Sequence, residues 1–266
     1  MIPLLFSNLF SVDIANLPRE ERLLFECKAE VRDLTPAESV ESWTACDERA
    51  VERGLESVRP VIQGYVLEAE LLRDYAPWVE ADPVAWAKVV LGSAANHDVH
   101  LPAERVRSAW LVLLKDRGEA DKLAHVSSVT VRWKATLEGE GEQDELDAQV
   151  RRHLLDLGWS VPEPDSWDAG ESSIIVMAYP SVEHTVWDKN DQLKITRVSI
   201  TAGDVRFKGL EAKGKPIDIK EEHQDNDRDR ARRAAFEAAG QSFAGALLDD
   251  VVRRVFKGYE VPAPPS

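Results

Sequence analysis

The stretch Val126-Ser-Ser-Val-Thr-Val-Arg-Trp-Lys-Ala-Thr-Leu137 decides how the rest of the chain is read. Val129, Val131, Trp133 and Ala135 alternate with Thr130, Arg132, Lys134 and Thr136. A period of two puts the apolar set on one face of a strand and the polar set on the other. Downstream, Leu146, Val150, Leu154 and Leu157 fall at helical spacing, with Gly158 where a helix stop needs a left-handed residue. Ser172 to Tyr179 (SSIIVMAY) reads as a second strand, and Pro162 to Gly170 as a loop rich in turn residues. Lys194 to Phe207 reads as a strand carrying a bulge or tight hairpin at Ala202-Gly203-Asp204. Pro216 to Ile219 adds a short one.

The last predicted helix, Arg228 to Phe256, has the clearest limits. Asp225, Asp227 and Asp229 crowd its start and Arg253, Arg254 and Lys257 its end, so both termini complement the helix dipole. Phe236, Ala239, Phe243, Leu247, Val251 and Val255 trace its apolar stripe. Two helices with single stripes and several strands predict one sheet with both helices packed on a face.

Upstream the pattern is helical. Thr35-Pro36-Ala-Glu38 is a capping box with proline in the first turn, and Asp82-Pro83 opens another helix. Leu101-Pro102-Ala-Glu104 precedes the stripe Val106, Ala109, Trp110, Leu113 and Leu114. Residues 18 to 33 suit a helix or a short strand equally. The expected fold is therefore α+β: an extended leading segment over residues 1–18, a mostly helical region over 19–120, an α/β mixed-sheet domain over 121–257, and an extended tail over 258–266 with nothing to pack against. Leu4, Leu5, Phe6, Leu9 and Phe10 in the leading segment are candidate interaction residues, because large apolar side chains must be covered by something.

A net charge of -15 repels phosphate backbones and anionic lipid, which argues against nucleic-acid or membrane-surface binding; it favours solubility first and basic protein partners second. No run approaches the roughly 20 apolar residues of a membrane span. Without a basic, cleavable leader the chain reads as cytoplasmic as given, or periplasmic if a signal peptide has been removed. Two cysteines, Cys27 and Cys46, are too few for a disulfide framework, and buried free thiols are the favoured reading.

Asn96-His97-Asp98-Val99-His100 holds the best metal-ligand candidates, His97, Asp98 and His100. Zinc chemistry needs a third or fourth ligand of this kind, and no Cys-x-x-Cys or His-Glu-x-x-His supplies it. A metal-dependent hydrolase would have to bring His223 in from the other half of the chain. No serine elbow, phosphate-cradling glycine loop or dinucleotide fingerprint occurs, so no cofactor is implied. Of the tryptophans, Trp86, Trp110 and Trp133 lie on apolar faces and read as core, whereas Trp167 and Trp187 fall in predicted loops and are candidate contact residues.

The second half resembles the small α/β domains of bacterial envelope assembly proteins, among them the curli-secretion lipoproteins and the TolB amino-terminal domain. The likeness lies in the helix and "LGWSV" of Leu146 to Val161, in Ser173 to Ala178, in "VSITAGDVR" (Val198 to Arg206) and in "ARRAAFEAAGQSFAGALL" (Ala231 to Leu248). It implies a non-enzymatic domain that binds other proteins and assembles into complexes, with homo-oligomers among them.

Overall fold

The computed structural model describes residues 17–163, 165–187, 190–208 and 213–265. Seven helices come first: α1 (Arg19–Glu30), α2 (Pro36–Glu52), α3 (Arg59–Asp74), α4 (Ala76–Ala81), α5 (Pro83–Asn96), α6 (Ala103–Lys115) and α7 (Arg117–Lys122). Then follow β1 (Val129–Trp133), α8 (Glu142–Asp156), β2 (Ile174–Trp187), β3 (Asn190–Phe207), β4 (Ile217–Asp225) and α9 (Arg228–Val255). The fold is α+β, as the sequence pattern predicts.

Local signals set the helix starts. The Thr35 hydroxyl accepts from the Glu38 N–H, and the Glu38 carboxylate accepts from the Thr35 N–H at 2.9 Å, closing the capping box of α2. Asp82 caps α5 by accepting from the Ala85 N–H, and Asp227 caps α9 by accepting from Asp229 and Arg230. Residues 19 to 30, left open between helix and strand, form α1 with Leu23 and Cys27 on its buried side. Gly158 holds φ at 80°, the left-handed conformation expected just past α8.

The four strands lie in the order β1-β2-β3-β4. β1 runs parallel to β2, the two joined through α8, and the other neighbours are antiparallel. Val131 stands opposite Val176 and Val176 opposite Val205, so the core face is filled by cross-strand apolar neighbours. α8 and α9 cover that face, tied by ion pairs Arg232–Glu145 and Arg152–Glu237, both at 3.0 Å. Across the strands, Arg197 joins Glu222 at 2.5 Å and Glu183 at 3.7 Å, a charged ladder from β2 to β4.

Of the two readings of Ala202-Gly203-Asp204, the bulge holds: it interrupts the register within continuous β3. Other details depart from expectation. β2 does not stop at Tyr179 but continues to Trp187. Pro180 sits inside β2 without breaking it. The Ile174 N–H and the Ala178 carbonyl both bond toward β1's side, so even-numbered residues of β2 turn their polar groups away from β3. At position 180 the missing N–H therefore costs no β2–β3 bond. The tail is not free either. Asn96, the last residue of α5, donates to the carbonyls of Phe256 and Tyr259 and accepts from the Gly258 N–H at 2.9 Å, while the Tyr75 hydroxyl donates to the Pro262 carbonyl at 2.7 Å.

Cys27 and Cys46 are joined in a disulfide, with Cα atoms 6.1 Å apart. The expectation of free thiols fails because α1 and α2 lie side by side, a proximity that spacing along the chain does not encode.

Two separate apolar clusters result. One holds Leu23, Trp43, Ile62 and the disulfide between α1, α2 and α3. The other runs without a break from Leu71 in α3 to Phe256. Within it the Trp110 indole donates to the Leu157 carbonyl at 3.0 Å and the Trp159 indole to the Val126 carbonyl at 2.9 Å. The composition changes near residue 120, but the packing changes earlier, inside α3.

Candidate functional site

An open cleft of about 500 Å³ lies where α6, α8 and α9 fail to meet. Leu101, Val106 and Leu157 line it together with Ala244, Gly245 and Leu248 of α9. Its size falls within the range of small-ligand pockets. The segment between α5 and α6 is held against α3 at Gly64, where a β-carbon would lie 2.1 Å from the His100 carbonyl oxygen. That contact fixes the end of the cleft where His100 stands.

The polar groups form two clusters. At one, the Arg253 guanidinium donates to His100 Nδ1 at 3.0 Å and to Asp249 at 2.9 Å, so Asp249 is already compensated, and Glu104 stands nearby on α6. At the other, Arg107 reaches across to the Asp156 carbonyl at 3.4 Å, beside His153 and Gln241. Burial, aided by the charge of Arg152, pushes the His153 imidazole below its ordinary value, so the ring is neutral at neutral pH. Arg152 lies 3.1 Å from His153 Nε2. Guanidinium can only donate, so Nε2 is the acceptor and the ring proton sits on Nδ1.

The metal-ligand candidates are not brought together. His97, Asp98 and His100 are exposed, and His100 has Arg253 and Asp249 as partners. His223 lies in β4 opposite Thr196. Among the described residues no three His, Cys, Asp or Glu side chains converge.

A second histidine, partly buried, stands between a carboxylate and a hydroxyl. His184 Nε2 meets Glu142 at 2.7 Å and its Nδ1 meets the Thr196 hydroxyl at 3.1 Å. The order resembles a hydrolase relay, but Thr196 is 0% exposed and has no approach for a substrate. The arrangement ties α8 to the β2–β3 hairpin.

Trp167 is 77% exposed, on a short 3-10 turn (Trp167–Gly170) whose Ser166 side chain accepts from the Ala169 N–H. Glu163, Asp165, Asp168 and Glu171 flank it, and among the described residues only Glu163 of these is in an ion pair, with Arg151 at 2.9 Å. Trp187 ends β2 rather than lying in a loop, and its side chain is outside the described set. Leu4, Leu5, Phe6, Leu9 and Phe10 also lie outside the described residues. The cleft was missed by sequence reading because Arg107, His153 and Gln241 come from three helices and share no local pattern.

No family model matches the chain, and no curated protein does. Among solved structures, a protein of Caulobacter crescentus CB15 provisionally named a lipoprotein aligns with 53% of this chain and 97% of its own, at 14% identity and a TM-score of 0.33. A likeness of that size carries no argument about fold or function. Among the described residues no helix is long and apolar enough to cross a membrane.

Proposed function

We propose that this chain is a non-enzymatic interaction component that binds a basic protein partner through the turn carrying Trp167. The exposed indole carries the reading. Tryptophan is the side chain most enriched at energetic centres of interfaces, because it buries a large rigid surface and keeps one donor. A capped turn presents it with little ordering cost. The carboxylates of Asp165, Asp168 and Glu171 beside it, on a chain of net charge -15, select a basic surface. The Cys27–Cys46 disulfide supports an oxidising compartment, such as the periplasm, over the cytoplasm.

Affinity capture from the native host, in parallel with a Trp167→Ala variant, tests the reading. The expected result is a basic partner held at fixed stoichiometry by the parent chain and bound about 30-fold more weakly by the variant, with an unchanged melting temperature. Equal capture by both proteins would contradict it. Stoichiometric zinc or manganese, lost in a His97→Ala, His100→Ala double variant, would instead turn the reading toward a metal-dependent hydrolase.

A further inference from the structure

We propose that the cleft between α6, α8 and α9 is a binding site for a small amphipathic anion, an apolar body carrying one carboxylate. The inference is independent of the contact role of Trp167 and goes beyond it.

Volume and lining set the body. About 500 Å³ holds a single small molecule, and the walls of Leu101, Val106, Leu157 and Leu248 offer it an apolar surface. Gly245 leaves the α9 wall open, since a β-carbon there would meet no atom within 4 Å.

Hydrogen-bond chemistry sets the head group. Arg107 forms no ion pair among the described residues, although most arginines of this acidic chain do; its one partner is the Asp156 carbonyl. His153 beside it is neutral with its proton on Nδ1, so it offers a donor, and Gln241 adds amide donors. Arg107 sits close enough to contribute to holding down the His153 pKa, so the two act at one place. Arg107 is thus a guanidinium with no carboxylate in ion-pair reach among the described residues, a group that receives an anion, while Asp156 and Glu237 act on His153 from nearby and Glu237 is paired with Arg152. Glu104 and Asp249 also line the cleft, but Asp249 is paired with Arg253, so Arg107 is the guanidinium left for the head group. A carboxylate at Arg107 places its apolar body along Leu157, Gly245 and Leu248.

Titration calorimetry with decanoate, decanol and decyltrimethylammonium at equal chain length is the test. Decanoate should bind saturably at one site per chain, at least 10-fold tighter than either comparison molecule. Arg107→Gln should weaken decanoate about 10-fold or more and leave decanol unchanged, whereas Glu104→Gln should not weaken decanoate. Gly245→Phe, which fills the cleft from a position with free space, should abolish binding with the circular dichroism spectrum retained. If that variant does not fold, the Arg107→Gln result decides alone. Equal affinity for the three molecules, no saturable binding, or decanoate affinity untouched by Arg107→Gln would overturn the proposal. Co-sedimentation with phosphatidylglycerol vesicles that is lost in Arg107→Gln would overturn the free small molecule as ligand and make a lipid surface the source of the anion. Trp167→Ala should leave decanoate binding intact, so failure of the partner reading and failure of this one are distinguishable.

Discussion

The two apolar clusters of this chain are held by different means. The larger, from Leu71 to Phe256, joins α4 to α9 with the sheet, and Trp110, Trp159, Phe236 and Phe243 within it are almost wholly shielded from water. The smaller packs α1, α2 and the first turns of α3 around Leu23, Trp43 and Ile62. A cluster that small buries too little surface to offset the ordering of three helices. Covalent and ionic links supplement it: the Cys27–Cys46 disulfide, Glu30–Arg49 at 2.6 Å and Asp47–Arg59 at 3.0 Å. Ion pairs occur in both regions, but where apolar area is scarce the fold adds a disulfide to its packing.

The largest expected effect sharpens this contrast from the packed side. Phe243 is 0% exposed on α9 against the sheet, so Phe243→Ala should cost about 3–5 kcal/mol, read as a shift in the denaturant midpoint of the whole sheet region. A loss below about 1 kcal/mol would mean that α9 is not the keystone of the larger cluster.

A smaller effect probes the ionic links. The Arg59 guanidinium holds the Asp47 carboxyl below its usual 3.8, and Arg49 holds Glu30 below its usual 4.5. A depressed folded-state pKa contributes stability that is present above the unfolded value and is lost as pH falls through the folded one. The contribution is modest because these side chains are partly solvated. Acidification from about pH 5 toward pH 3 should loosen α1 to α3, and Asp47→Asn should remove part of that dependence; fluorescence of Trp43, stacked 4.5 Å from Tyr65, follows it. An acid transition unchanged by Asp47→Asn would show that the pair does not hold the small cluster.

Much of the fold is legible in the sequence where one residue type has one local consequence. Thr35 with Glu38, Asp82 with Pro83, and Gly158 mark helix limits that the structure keeps, because capping depends on neighbours three or four residues away. The alternation of Val129, Val131 and Trp133 likewise fixes the strand. What stayed hidden depends on contacts between distant segments. Pro180 is tolerated because of its side of the ladder, and Cys27 meets Cys46 because two helices lie together. Asn96 ends α5 and fastens the tail through groups at least 160 residues away. The candidate sites divide the same way. Trp167 was legible as a large aromatic among turn residues, whereas the donors of the cleft converge only in three dimensions.

The most direct test of the two-cluster account is hydrogen exchange, read by mass spectrometry, on the parent chain and on a Cys27→Ser, Cys46→Ser variant. A crosslink between cysteines 19 residues apart contributes about 3 kcal/mol by constraining the unfolded chain. The account predicts that peptides from α1, α2 and the start of α3 lose protection by roughly that amount, while those from the sheet, α8 and α9 keep theirs. Equal loss of protection in both regions, or no loss in either, would contradict it.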